Sequence, residues 1–251
     1  MEAAFSELQY AYSCTRELEN RLGSSCSCAP YFPTLIEEAK FGFDVAIGSL
    51  YAPVFLQYKV ADYMIRKSAR NWKEFSSSFF RFSVYPATKS PQHNRLKSLS
   101  TVFPFVYYCS SAFVDYDQFD SFHTHGRIVD NSVFINLCTI PKNSGNAEHD
   151  IIFQTAPWRY RWCSDPIEVK GTNGWDELAK TIREKREHFD TIDNIYKKLT
   201  KYIFTLLNIA EPDGNNDFQD TTLEPDRWTY ISHLLGMYFN SSLVLLKYKD
   251  K

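Results

Sequence analysis

Over the first twenty-two positions, Phe5, Leu8, Tyr12, Thr15, Leu18 and Leu22 recur at steps of three and four, and Gly23 follows. That spacing predicts an amphipathic helix over residues 2–22 with a glycine stop. A loop of small residues and prolines, SSCSCAPYFP, comes next. The period then falls to two, and GFDVAIGSLYAPVFLQYK, residues 42–59, reads as a hairpin. ADYMIRKSARNWKEF, residues 61–75, is expected to be helical, FFRFSVYP a strand, and PQHNRLKSL a short helix begun by Pro91. TVFPFVYYCSSAF, NSVFINLCTI and HDIIFQTAPWRYRWC are three further strand candidates, dense in β-branched and aromatic residues.

After the turn VKGTNGW the pattern turns helical. Leu178, Ile182, Lys185, Phe189, Ile192, Tyr196, Leu199, Ile203 and Leu206 form a nearly heptad seam. Beyond an acidic loop, Trp228, Ile231, Leu235, Tyr238 and Leu245 make a second stripe. Each apolar stripe needs a partner, so a C-terminal helical hairpin is the economical arrangement. The expected organisation is therefore an α/β (α+β) core over 1–172 and a helical hairpin over 173–251, used for packing, partner interaction or self-association.

Composition narrows this further. Hydrophobic residues make up 44% and charged residues 23%, enough for a sizeable core and against global disorder. A net charge of −2 excludes a polycation, so nucleic-acid binding would need a local basic patch. No basic-then-apolar leader and no run near the roughly 18 apolar residues of a membrane span are present, so a soluble, cytoplasmic protein with no membrane partner is expected. Six cysteines in a chain of 251 residues are too sparse for a disulfide scaffold.

The hairpin holds the candidate chemistry. If Ile47 pairs with Val54, paired positions keep a constant index sum, and Val45 faces Leu56 while Asp44 faces Gln57. Opposed side chains share a face, so Asp44 and Gln57 meet, and Lys59 stands two residues along on the same side. A carboxylate and an amide oxygen suit a hard divalent cation such as Mg²⁺ or Mn²⁺, and a neighbouring lysine can orient or deprotonate a water.

The spacing E-x5-D-x12-Q-x-K (Glu38, Asp44, Gln57, Lys59) resembles the active-site hairpin of the PD-(D/E)xK nuclease superfamily, in its variant with glutamine at the second acidic position. The resemblance covers about the first 110 residues. It implies a restriction-endonuclease-like mixed sheet flanked by helices, and a Mg²⁺- or Mn²⁺-dependent nuclease acting on nucleic-acid phosphodiesters. Asp44 and Gln57 would hold the metal with Glu38, or else Glu7 or Glu17, as the upstream glutamate. Lys59 would be the catalytic lysine and the Tyr58 carbonyl a further ligand. Likeness to bacterial proteins found beside defence genes implies a role in anti-phage defence. Glutamine brings no charge, which weakens the metal site and keeps a second reading open: a non-catalytic nucleic-acid-binding or scaffold subunit of a multi-protein complex.

Arg66, Lys67, Arg70 and Lys73 would form a basic stripe on the helix expected after Lys59, suited to the phosphate backbone, DNA in the first place. In APWRYRWC the aromatic and arginine sets fall on opposite faces of a strand, core and solvent being the ordinary assignment over base stacking. SPQHN places Gln92, His93 and Asn94 at a helix start, where His93 serves either near a phosphate or as a capping or surface residue.

Overall fold

The computed structural model describes residues 1–25, 29–35, 38, 42–47, 54–143, 146–163 and 166–186. The chain divides into two units, Met1–Glu184 and Lys185–Lys251, and the first carries nearly all of the described residues. The expected helical hairpin, with its seam from Phe189 onward, lies outside them. Its opening turns are present: Leu178 and Ile182 are buried on the helix that closes the described part of the chain.

Ten described strands make two five-stranded sheets, a mixed α/β arrangement. The first sheet runs β1 (Val45–Ile47), β2 (Val54–Lys59), β5 (Val106–Ser111), β6 (Ser132–Asn136) and β10 (Gly171–Asn173), in that order. Within it only β2 and β5 are parallel. A parallel pair requires a long crossover, and this one contains β3 (Asp62–Met64), β4 (Phe79–Val84) and helix α2 (Gln92–Leu99). The second sheet, β3-β4-β7-β8-β9, is antiparallel throughout, with β7 at His149–Thr155, β8 at Trp158–Cys163 and β9 at Ile167–Glu168. The single mixed sheet expected from the sequence is thus joined by a second one.

Helix α1 (Glu7–Leu22) starts with a capping box between Ser6 and Gln9. Its buried face is rotated from the expected one: Leu8 is 78% exposed and Tyr12 59%, while Tyr10, Cys14, Thr15 and Leu18 face inward. The polar tips explain this, because each finds a partner inside. The Tyr10 hydroxyl donates to Ser132 Oγ at 2.7 Å, and Thr15 Oγ1 lies 2.7 Å from the Tyr58 hydroxyl.

Residues 61–75 are not a helix. They form strand β3, a series of turns and a short 3-10 turn at Trp72–Glu74. Tyr63 pairs with Phe80 across the sheet, ring centroids 4.7 Å apart, and Phe75 packs against Phe79. Apolar spacing that fits a helix here serves the second sheet instead. HDIIFQTAPWRYRWC is likewise two strands, β7 and β8, folded back at Ala156–Pro157. Tyr160 and Trp162 are core, and Arg159 and Arg161 lie over the Phe75 ring. Helix α3 (Tyr116–Thr124), capped by Asp115, has no counterpart in the expectations, and α4 spans Gly174–Arg186. No described helix is long and apolar enough to cross a membrane.

Candidate active site

The hairpin has the register that the index sum demands: Val45 opposite Leu56, Ala46 opposite Phe55, Ile47 opposite Val54. The Asp44 amide donates to the Leu56 carbonyl at 2.9 Å, which continues the pairing and sets Asp44 across from Gln57. The two side chains meet. Gln57 Nε2 donates to both Asp44 oxygens at 2.8 Å, and the Tyr58 amide donates to Oδ2 at 2.6 Å. Gln57 is 1% exposed, so its amide needs partners on both sides.

The second partner is Gln92, the first residue of α2. Its Nε2 donates to Gln57 Oε1 at 2.9 Å and to Glu38 Oε1 at 3.2 Å. Two carboxylates are thereby linked through two amides, in the order Asp44, Gln57, Gln92, Glu38. Gln92 enters because the crossover delivers the start of α2 to this point, a contact that strand periodicity cannot express. Gly42 permits the approach. Its φ is +86°, and a Cβ there would stand 2.7 Å from the Gln92 carbonyl oxygen and 3.1 Å from Leu96 Cγ.

Lys59 shares the Gln57 side of β2, and its ammonium lies 3.6 Å from Glu7 Oε2 on α1. Of the three glutamates that could be the upstream acid, two reach the cluster, Glu38 through Gln92 and Glu7 through Lys59. Glu17 does not; it pairs with Arg21 at 2.6 Å and accepts from the Val129 amide. The Tyr58 ring turns to the other side of the strand, toward Thr15.

Burial pushes the Asp44 carboxyl up to about 7; Lys59 and the Tyr58 amide pull it down, and Glu7 and Glu38 add to the rise. A group that ionises with difficulty when folded binds extra protons in the native state between its unfolded and folded values. Stability from Asp44 is then complete below the unfolded value of 3.8 and is lost as pH rises through about 7. Thermal melts should show wild type losing on the order of 1 kcal/mol per pH unit between pH 5 and 7 relative to Asp44→Asn. Parallel pH profiles for the two proteins would contradict the assignment.

A solvent-open cleft of about 290 Å³ adjoins the cluster, lined in part by Lys59, Ser83, Tyr85, Ser90, Gln92 and Tyr108. His93 also borders it but is held inside: Nδ1 lies 3.0 Å from the Tyr108 hydroxyl, and Nε2 lies 2.9 Å from the Pro141 carbonyl. Burial lowers its pKa to about 4, so it is neutral and structural.

The expected basic stripe is dissolved with its helix. Arg70 is committed to the Glu148 carbonyl at 3.1 Å and to Asp150 at 3.3 Å, whereas Arg66, Lys67 and Lys73 are exposed along turns.

Oxygen donors of the kind a hard cation takes are gathered here: the Asp44 and Glu38 carboxylates, Gln57 Oε1 and the Tyr58 carbonyl. The Gln92 NH₂, set between Gln57 Oε1 and Glu38 Oε1, makes the sort of positive contact that a divalent ion would replace. Among the described residues no group of three or more His, Cys, Asp or Glu side chains converges, so any such site depends on amide and carbonyl oxygens. Compared with protein-family models, with curated proteins and with solved structures, the chain matches none, and the reading of this site rests on its own geometry.

Proposed function

We propose that the chain is a metal-dependent nuclease-like protein of PD-(D/E)xK type that cleaves nucleic-acid phosphodiesters at Asp44, Gln57 and Lys59. The observation that carries this is the meeting of Asp44 with Gln57 across the hairpin, with Lys59 on the same side and bordering an open cleft. Support also comes from the chain order: a helix, an antiparallel hairpin, then a crossover helix and a strand parallel to β2.

Asp44 and Glu38, with Gln57 Oε1 and the Tyr58 carbonyl, would hold Mg²⁺ or Mn²⁺. A bound divalent ion supplies a more acidic water and charge neutralisation at a phosphoryl oxygen. Gln57 aligns the Asp44 carboxylate through two hydrogen bonds. Lys59 orients the attacking water, takes its proton and steadies charge on the phosphoryl oxygens. Glu7, 3.6 Å from the lysine, holds that ammonium in place. Exposed Arg66, Lys67 and Lys73 remain available for phosphate contacts. A part in anti-phage defence fits such an activity.

A second reading is favoured by one feature. The uncharged amide at position 57 already satisfies Asp44, which suits a non-catalytic nucleic-acid-binding or scaffold subunit that keeps the fold. Cleavage of a plasmid and of a single-stranded oligonucleotide with Mn²⁺ separates the two readings. The nuclease reading predicts cleavage by wild type and none by Asp44→Ala; equal behaviour of both leaves the scaffold reading.

A further inference from the structure

The cleft beside Lys59 has a rim that the hydrolytic chemistry does not use. Tyr85 follows β4 and is 50% exposed, unusual for a tyrosine bordering a concave surface. Its backbone is fixed, because Asn143 Nδ2 donates to its carbonyl at 3.1 Å. The chain then turns sharply, the Lys89 and Ser90 amides both donating to the Pro86 carbonyl at 2.9 Å. That turn folds Lys89 back so that its ammonium lies 3.9 Å from the centre of the Tyr85 ring. A held aromatic ring, an adjacent cation and a second cation at Lys59 thus border one opening.

We infer that this cleft binds one unpaired nucleotide of a single-stranded nucleic acid, the base stacked on Tyr85 and Lys59 and Lys89 serving its phosphates. The inference rests on the nuclease-like reading, whose substrate class it names. A volume of about 290 Å³ is at the small end for ligand sites, suited to one nucleotide and too small for a duplex. Bases inside a duplex are stacked and paired, and reach a side chain only after extrusion. A base arriving on Tyr85 displaces the Lys89 ammonium toward the phosphate, exchanging an exposed cation–π contact for stacking, in general the stronger of the two. Hydroxyls around the cleft are already engaged, Ser83 with Asp150 at 2.8 Å and Tyr108 with His93 at 3.0 Å. Little is left to read base edges, so binding tolerates any sequence.

The test is fluorescence anisotropy of the full chain with labelled octathymidylate, octauridylate and a duplex of the same length, all in EDTA. Tyr85→Ala should weaken binding of both single strands at least about fivefold, Tyr85→Phe should leave it within about twofold, and Tyr85→Trp should bind with quenched fluorescence. Duplex binding should change less than about twofold in every variant. Wild-type affinity in Tyr85→Ala, or a wild type that binds the duplex alone, overturns the inference. The nuclease reading is judged separately, by Asp44-dependent cleavage in Mn²⁺. Loss of that cleavage reading leaves the EDTA result standing, and a failed stacking result leaves Asp44-dependent cleavage standing.

Discussion

Replacing Lys59 by alanine is expected to lower Mn²⁺-supported cleavage at least about a hundredfold while leaving Mn²⁺ affinity within about threefold. The lysine sits two residues along β2 from Gln57 and meets only Glu7, 3.6 Å away, in a partly exposed pair. Pairs of that kind add little to folding, so the variant should melt close to wild type and its defect should be chemical. Lys59→Arg sharpens the argument. A guanidinium keeps the charge but does not give up a proton near neutral pH. If Lys59 moves a proton, arginine should rescue little; if it only steadies negative charge, arginine should restore a large part. Glu7→Gln releases the ammonium and should have a smaller effect than either. Wild-type turnover in Lys59→Ala would remove the lysine from the mechanism.

Gly42→Ala should be the most damaging single methyl addition near the site. The position combines a left-handed backbone, φ +86°, with a backbone oxygen of Gln92 only 2.7 Å from the added carbon. Strain and displacement together should cost about 3 kcal/mol, or a fall of roughly 6–12 °C in Tm. The shift should also draw Gln92 away from Gln57 and weaken metal binding. Gly23 is the matched control: it too has positive φ, +50°, but nothing lies within 4 Å of its Cβ position. Gly23→Ala should cost only about 1 kcal/mol and leave metal binding unchanged. Equal losses in the two variants would show that contact with α2 contributes nothing.

The part of the site legible in the sequence was the part governed by strand periodicity. Once Ile47 is set opposite Val54, Asp44 must face Gln57, and the structure has that register. Gln92 was not legible as a site residue, because its contact with Gln57 depends on where a crossover of more than forty residues returns. The α1 stripe was misplaced for a different reason. Tyr10 and Thr15 bury polar tips by bonding to Ser132 and Tyr58, partners whose proximity is a tertiary fact. The helix expected over 61–75 failed through ambiguity of pattern: Tyr63, Trp72 and Phe75 fit a helical stripe, yet here they cover the second sheet. With that helix went the basic stripe, and Arg70 proved to be bound to Glu148 and the buried Asp150.

The most direct measurement is a calorimetric Mn²⁺ titration of wild type and Asp44→Asn at pH 6, 7 and 8. Metal and proton compete for a carboxylate that ionises near 7, so wild-type affinity should rise severalfold from pH 6 to 7, approaching tenfold per unit on the acid side, then level off, with proton release at the lower pH. Asp44→Asn should show no binding at any of the three. Equal isotherms for the two proteins, or a wild type that takes up no Mn²⁺ even at pH 8, would contradict the account.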